Sequence, residues 1–160
     1  MESEPIDPTQ RLLIERDCER LVIDCCHFVD HGQASRIADL FSEDGVWTAP
    51  GLFTTSGREA LRKGMAAREA KSFRTARHLC SNFRLEILDA NHAEGVVYVT
   101  IYRHDGREGE ETGKGPSPLE EPPLMVGEYR DRFVRTAEGW RIARREVGAA
   151  FVRSRSDGKQ

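Results

Sequence analysis

The chain predicts an α+β domain in which three N-terminal helices cover a cone-like, curved, mixed but mostly antiparallel sheet. Three observations carry that expectation. Apolar residues in the first 70 positions recur at helical spacing. From about residue 76 the pattern changes to long runs of β-branched, aromatic and arginine residues separated by short turns. No second sheet is available to cover the first, so the helices must do so, and a cavity between the two layers is the natural ligand site.

Residues 1–7 are acidic and polar and read as a loose tail, as do residues 154–160, leaving a single domain over 8–153. From Pro8 to His31 the residues Ile14, Cys18, Leu21, Val22, Cys25 and Val29 form one stripe, with Thr9 as the expected N-cap and Gly32 as the stop. A short helix over Ala34 to Phe41 follows, ended by Ser42-Glu43-Asp44-Gly45. Val46-Trp47-Thr48 begins a strand that breaks at Pro50-Gly51 and resumes through Leu52-Phe53-Thr54. Ser56, with Glu59 three residues on, has the form of a capping box for a third helix reaching about Ala70. Strands are expected over 76–90, 93–104, 124–136 and 140–153, with turns at Asp89-Ala90-Asn91-His92 and Ala137-Glu138-Gly139. Between the middle two lies Asp105 to Pro123, with five glutamates, four prolines and four glycines, which reads as a mobile loop or lid at the cavity mouth.

At 160 residues, 38% hydrophobic and 32% charged, the chain is long enough to build its own core without metal or disulfide. A net charge of −3 gives no basic field for nucleic acid. The arginines of the last two strands, Arg130, Arg132, Arg135, Arg141, Arg144 and Arg145, interleave with Glu128, Asp131, Glu138 and Glu146, a pattern of cross-strand ion pairs. No apolar run spans a bilayer, and Met1-Glu2-Ser3-Glu4-Pro5 lacks the basic region and apolar core of a secretory signal. A cytoplasmic location is expected, so Cys18, Cys25, Cys26 and Cys80 read as free, partly buried thiols.

A carboxylate beside an imidazole is the smallest device that moves protons near neutral pH. Asp30 closes the first helix, where a negative charge is unfavourable for the helix dipole, and that cost suggests a purpose beyond stability. His78 opens the first long strand, and alternation groups it with Cys80 and Asn82 opposite Leu79, Ser81 and Phe83. His27 and His31 share a helical face but lack a convincing third ligand, so no metal and no other cofactor is expected.

Several sequence words in this order resemble the nuclear transport factor 2-like superfamily, and within it the SnoaL-like branch that includes scytalone dehydratase. They are Phe28-Val29-Asp30-His31-Gly32, then Leu40-Phe41-Ser42-Glu43-Asp44-Gly45-Val46-Trp47, then Arg77-His78-Leu79 with Asn82 close behind. Gly127-Glu128-Tyr129-Arg130-Asp131-Arg132-Phe133 and Gly139-Trp140-Arg141-Ile142-Ala143-Arg144-Arg145 complete the set, so the resemblance runs over about residues 10–152. In the lyase members an aspartate and a histidine at the positions of Asp30 and His78 form the catalytic dyad. Scytalone dehydratase also places a tyrosine just before that aspartate, whereas this chain has Val29 there and its tyrosines are Tyr98, Tyr102 and Tyr129. The resemblance therefore transfers the dyad and not the whole dehydratase mechanism.

The resemblance implies a cofactor-independent lyase or isomerase, of dehydratase or cyclase type, acting on a small hydrophobic cyclic molecule. His78 removes a proton and Asp30 orients the ring, while Asn82, Tyr102, Arg103 and Tyr129 polarise a substrate oxygen. Trp47 and Phe53 complete the expected substrate-binding set. The rival expectation is a non-catalytic β-type subunit of an aromatic-ring-hydroxylating dioxygenase, or a ligand-binding protein on the same fold. A homodimer through the outer sheet face, with Phe133, Val134 and Ile142 on its strands, is expected, and neither nucleic acid nor membrane is an expected partner.

Overall fold

Asp7 starts the first helix. Its Oδ1 accepts from the backbone N–H groups of Thr9 at 2.8 Å and Gln10 at 3.2 Å. Pro8 has no N–H to cap, so the residue before it, not Thr9, meets the first free donors. Helix α1 runs Pro8–Asp30 and buries Ile14, Cys18, Leu21, Val22, Cys25 and Cys26 along one stripe. In the computed structural model, which describes residues 6–107, 109, 115–119 and 121–154, α1 lies across the sheet as the principal covering element. Gly32, at φ +70°, turns the chain away from its end.

The second helical segment is a 3-10 helix over Ala34–Leu40, burying Ala34, Ile37 and Ala38. It stops one residue short of the expected end because Phe41 already belongs to strand β1 (Phe41–Ala49). Phe41 pairs with Ile142, and after a register shift Val46 pairs with Arg144. Ser42-Glu43-Asp44-Gly45 is therefore a bulged stretch inside a strand rather than a helix stop. Strand β2 (Phe53–Ser56) folds back antiparallel on β1. Helix α2 (Arg58–Glu69) takes Gly57, at φ +88°, as its N-cap with no side-chain capping bond. The expected capping box fails because Ser56 is paired in β2 and Glu59 turns to Arg62 at 3.4 Å.

Four long strands follow: β3 (Arg74–Ile87), β4 (His92–Asp105), β5 (Met125–Thr136) and β6 (Gly139–Val152). They form an antiparallel meander, and β6 then runs parallel to β1, giving the sheet order β2-β1-β6-β5-β4-β3. The α+β architecture of three helices on a six-stranded, mostly antiparallel sheet is the one expected from sequence. Register shifts between Ser81 and Arg84, Val126 and Gly127, and Arg132 and Phe133 bend the sheet around the helices. At the second of these, β5 and β6 approach so closely that a Cβ on Gly127 would collide with the carbonyl oxygen of Gly148. Of the Asp105–Pro123 connection, residues 108, 110–114 and 120 lie outside the described residues, so its expected mobility is not tested; Ser117 within it donates to Thr75 Oγ1 at 2.8 Å.

The helix-covered face carries Ala93, Val97, Val99, Tyr129, Phe133 and Ile142, all buried. Phe133 and Ile142 thus belong to the core and not to an outer, subunit-facing surface. Alternation from Tyr129 decides this, because residues 129, 131 and 133 share one side. The outer face is charged instead: a groove of about 580 Å³ there is lined by Arg84, Glu94, Arg130, Arg132, Arg144 and Glu146 among others. Arg132 bonds Glu94 across strands at 3.1 Å. Among the described residues, no helix is long and apolar enough to cross a membrane.

The same alternation drives Asp131 inward, opposite Arg145 on β6. Arg145 Nε and Nη2 donate to the two Asp131 oxygens at 2.8 and 2.6 Å, and both side chains are 1% exposed. Burial pushes the Arg145 guanidinium down, but the charge of Asp131 and its hydrogen bonds hold it well above the ordinary arginine value. Removing one partner strands the other charge in the core. We expect Arg145→Leu to lower the unfolding free energy by about 3–5 kcal/mol in urea titrations, and Asp131→Leu with Arg145→Met together to lower it less than Arg145→Leu alone.

Candidate functional site

The end of α1 meets the edge of the sheet through a single carboxylate. Asp30 Oδ1 lies 2.6 Å from His78 Nδ1, and Asp30 Oδ2 accepts the backbone N–H of His78 at 2.7 Å. The two side chains are 6% and 14% exposed. A carboxylate only accepts, so a neutral His78 places its proton on Nδ1 and leaves the lone pair on Nε2. Nε2 has no hydrogen-bond partner among the described residues. The arrangement has the parts of a general base: an oriented imidazole, a carboxylate to stabilise its charged form, and little bulk water.

Two thiols flank the pair. Cys26, one turn before Asp30, and Cys80, two residues beyond His78, bring their sulfurs to 3.3 Å. The contact to Cys80 and burial push the Cys26 thiol up. Burial also raises Cys25 to about 11 and Cys18 to about 12. All four cysteines are free.

The remaining expected residues divide among several environments. Arg103 pairs with Ala76 in register and so lies on the same sheet face as His78. Tyr102 pairs with Arg77 and alternates to the other face. Both line a cleft of about 440 Å³ beside Asp30, which wraps the free edge of β3 and is closed on one side by Gly115 to Leu119. That described part of the long connection does lie against the cleft. Asn82 does not share the His78 face: it sits in the bulge between Ser81 and Arg84 at φ +55° and is exposed. The bulge reverses the alternation, so that Phe83 and Leu85 pack against the core instead. Phe53 is 45% exposed on β2, away from the core.

Trp47 and Tyr129 come together around Arg145. The Arg145 guanidinium carbon lies 4.4 Å from the Tyr129 ring centre and 5.7 Å from that of Trp47, whose ring stacks on Phe41. Burial raises the Tyr129 hydroxyl well above its ordinary value. Trp47 Nε1 is buried with no acceptor among the described residues. Sequence placed Arg145 and Asp131 among the cross-strand ion pairs but not in the interior, although Tyr129-x-Asp131-x-Phe133 signals a buried acid that needs a buried base. His27 and His31 stack on each other, and among the described residues no three His, Cys, Asp or Glu side chains gather to hold a metal.

Residues 10–146 match the model of the SnoaL-like domain. The chain belongs to that family. No curated protein matches the sequence. Among solved structures, this SnoaL-like protein is similar to a protein provisionally called a scytalone dehydratase from Novosphingobium aromaticivorans DSM 12444. The TM-score is 0.72 at 20% identity, over 96% of this chain and 100% of that one. It is also similar to the hexachlorocyclohexane dehydrochlorinase LinA-type3 from Novosphingobium barchaimii LL02, with a TM-score of 0.74 at 19% identity, over 96% and 98% of the two chains. A nuclear transport factor 2-like protein with a cystatin-like fold from Novosphingobium aromaticivorans gives 0.65 at 23%, over 93% and 86%. At these identities the likeness shows the shared fold.

The dyad geometry makes a spectroscopic prediction for the SnoaL-like protein. In ¹⁵N-edited spectra at neutral pH, His78 should show one tautomer with the proton on Nδ1, and Asp30→Ala should convert it to a mixture. A His78 ring that already exchanges between tautomers in the unaltered protein would contradict the reading.

Proposed function

We propose that the protein is a cofactor-independent lyase or isomerase that eliminates from, or rearranges, a small hydrophobic cyclic molecule. The observation that carries the reading is the 2.6 Å contact between His78 Nδ1 and Asp30 Oδ1, reinforced by the second Asp30 oxygen on the His78 backbone. His78 Nε2 takes a proton from a carbon next to an activating or leaving group. The electron pair of that C–H bond forms the new double bond, and the leaving group departs with its own electrons. Asp30 stabilises the imidazolium until it gives the proton to the leaving group or to water. Arg103, on the His78 face, and Tyr102, at the cleft rim, hold the polar end of the substrate. Trp47 and Tyr129, enclosing the buried Arg145, lie outside this cleft and take no part in the step.

Elimination is the favoured version because fold relatives include a dehydrochlorinase and a protein called a dehydratase, both names that describe loss of a small group beside a C–H bond. The test is turnover of a panel of cyclic alcohols and halides, with hexachlorocyclohexane among them, followed by mass spectrometry in deuterated water. His78→Ala should lower the rate about 10²–10⁴-fold, and Asp30→Ala should lower it substantially while leaving the fold intact by circular dichroism. Equal turnover in His78→Ala and the unaltered protein would remove the mechanism. Failure of the whole panel, together with co-purification of a Rieske-type catalytic chain, would favour the β-subunit reading.

The quaternary proposal is a homodimer through the outer sheet face. Because that face is lined by arginines and glutamates rather than Phe133 and Ile142, a second copy would be held largely by complementary charge. Light scattering should give a dimer at low salt that weakens as sodium chloride is raised. A monomer at micromolar concentration in low salt would rule it out.

A further inference from the structure

Among the described residues, the mouth of the cleft carries more positive charge than its own carboxylates neutralise. Arg74 and Arg103, neighbours on the inner face of β3 and β4, share one partner: Arg74 Nη2 and Arg103 Nη2 both reach Asp105 Oδ2 at 3.3 Å. Arg77 has no carboxylate partner among the described residues. Its Nη1 rests on two carbonyl oxygens, those of Ala76 at 2.7 Å and Asp30 at 3.4 Å. Arg68, on α2, lies near enough to feel the charges of Arg74, Arg103, Asp105 and Asp30, and has no ion-pair partner among the described residues. Among the described residues, four guanidinium groups are thus set against two carboxylates, Asp105 and Asp30, and Asp30 is already committed to His78.

The crowding is felt by the arginines themselves. Burial and then the charges of Arg74 and Arg103 push Arg68 down, and burial and then Arg74 push Arg103 down. Burial alone would raise the Asp105 carboxyl, but the hydrogen bond from Arg74 and the charges of Arg103, Arg74 and Arg68 hold it below the usual carboxylate range. Like charges held together at a half-buried surface are unfavourable until an anion joins them. The cleft that Arg74, Arg77 and Arg103 line measures about 440 Å³, room for a six-membered ring with one or two substituents. Asp30 belongs both to this cleft and to the dyad.

We infer that this cleft is an anion subsite, and that the cyclic molecule handled by Asp30 and His78 carries a carboxylate, which Arg77 and Arg103 receive. The inference deepens the proposed function and takes its reaction centre from it. Guanidinium groups suit a carboxylate because their planar donors match its two oxygens, and Arg77 is free to turn from carbonyl partners to a charged one. A carboxylate held there also fixes which carbon of the ring faces the histidine, so the subsite is positional as well as attractive.

The probes are benzoate and benzamide, which share a ring and differ in charge, titrated calorimetrically into the unaltered protein and into Arg77→Gln, Arg103→Gln, Arg77→Lys and His78→Ala. Benzoate should bind about tenfold or more tighter than benzamide, and the gap should narrow with added salt. Arg77→Gln and Arg103→Gln should lose that preference while benzamide affinity stays put, and Arg77→Lys should restore part of it. His78→Ala should keep the preference. Equal binding of the two probes, or a preference that survives both glutamine variants, overturns the inference. Inorganic sulfate that binds as tightly as benzoate also overturns it, by assigning the cleft to a free ion. Because the subsite is read with His78 absent, its failure and that of the proton-transfer mechanism are separately visible.

Discussion

One carboxylate holds together the part of this structure that matters for chemistry. β3 is the edge strand, so the backbone N–H of His78 would face outward without a ladder partner. Asp30 accepts it with one oxygen and the imidazole with the other. The same group thereby docks the end of α1 on the sheet, satisfies an orphaned edge donor, and chooses the tautomer of the ring. The unfavourable position of an aspartate at a helix C-terminus is offset by those two bonds. The helix cannot shift along the sheet without disturbing the histidine, and the bond to the His78 backbone keeps the carboxylate in place for the ring.

A second ionic contact sets the interior. Asp131 and Arg145 are fully buried, bidentate and enclosed by the rings of Tyr129 and Trp47. Such a pair adds little net stability against an apolar core of equal volume, but it penalises any register of β5 against β6 that separates the partners. The two bulges in that strand pair lie on either side of it, and the pair pins the sheet between them. A strongly bent sheet with several register shifts gains from an interaction that tolerates only one alignment.

The fold was legible because its signals are local and repeated: a helical stripe, then strands with turns between them. Asp30 was legible because it closes α1, and His78 because it stands in a recognisable word within β3, the first long strand. The places where the sequence misled are all at irregularities. Strict alternation put Asn82 beside His78, and the bulge in which it sits turned it to solvent and Phe83 inward. Counting apolar residues put Phe133 and Ile142 on an outer face, whereas alternation from Tyr129 places them in the core. Bulges depend on cross-strand pairing, which a single chain of letters does not display, and the crowding of Arg68, Arg74, Arg77 and Arg103 arises only when α2 and the sheet edge are folded together.

The parallel pairing of β1 with β6 has a consequence for how the chain comes to be folded. Phe41 waits for Ile142, so β1 meets its main neighbour only after about a hundred further residues have been made. The meander of β3, β4 and β5 closes through turns and near neighbours and is available early, while the joining of the two sheet portions requires a long chain closure. Until then β1 presents an open edge and the helices have only part of the surface they cover. β6 completes the centre of the sheet and, in pairing with β5, brings Arg145 to Asp131. On the ribosome, such a chain carries β1 with β2 on one edge and the other edge open until β6 emerges, and that interval is when it is most exposed to pairing with another copy of itself.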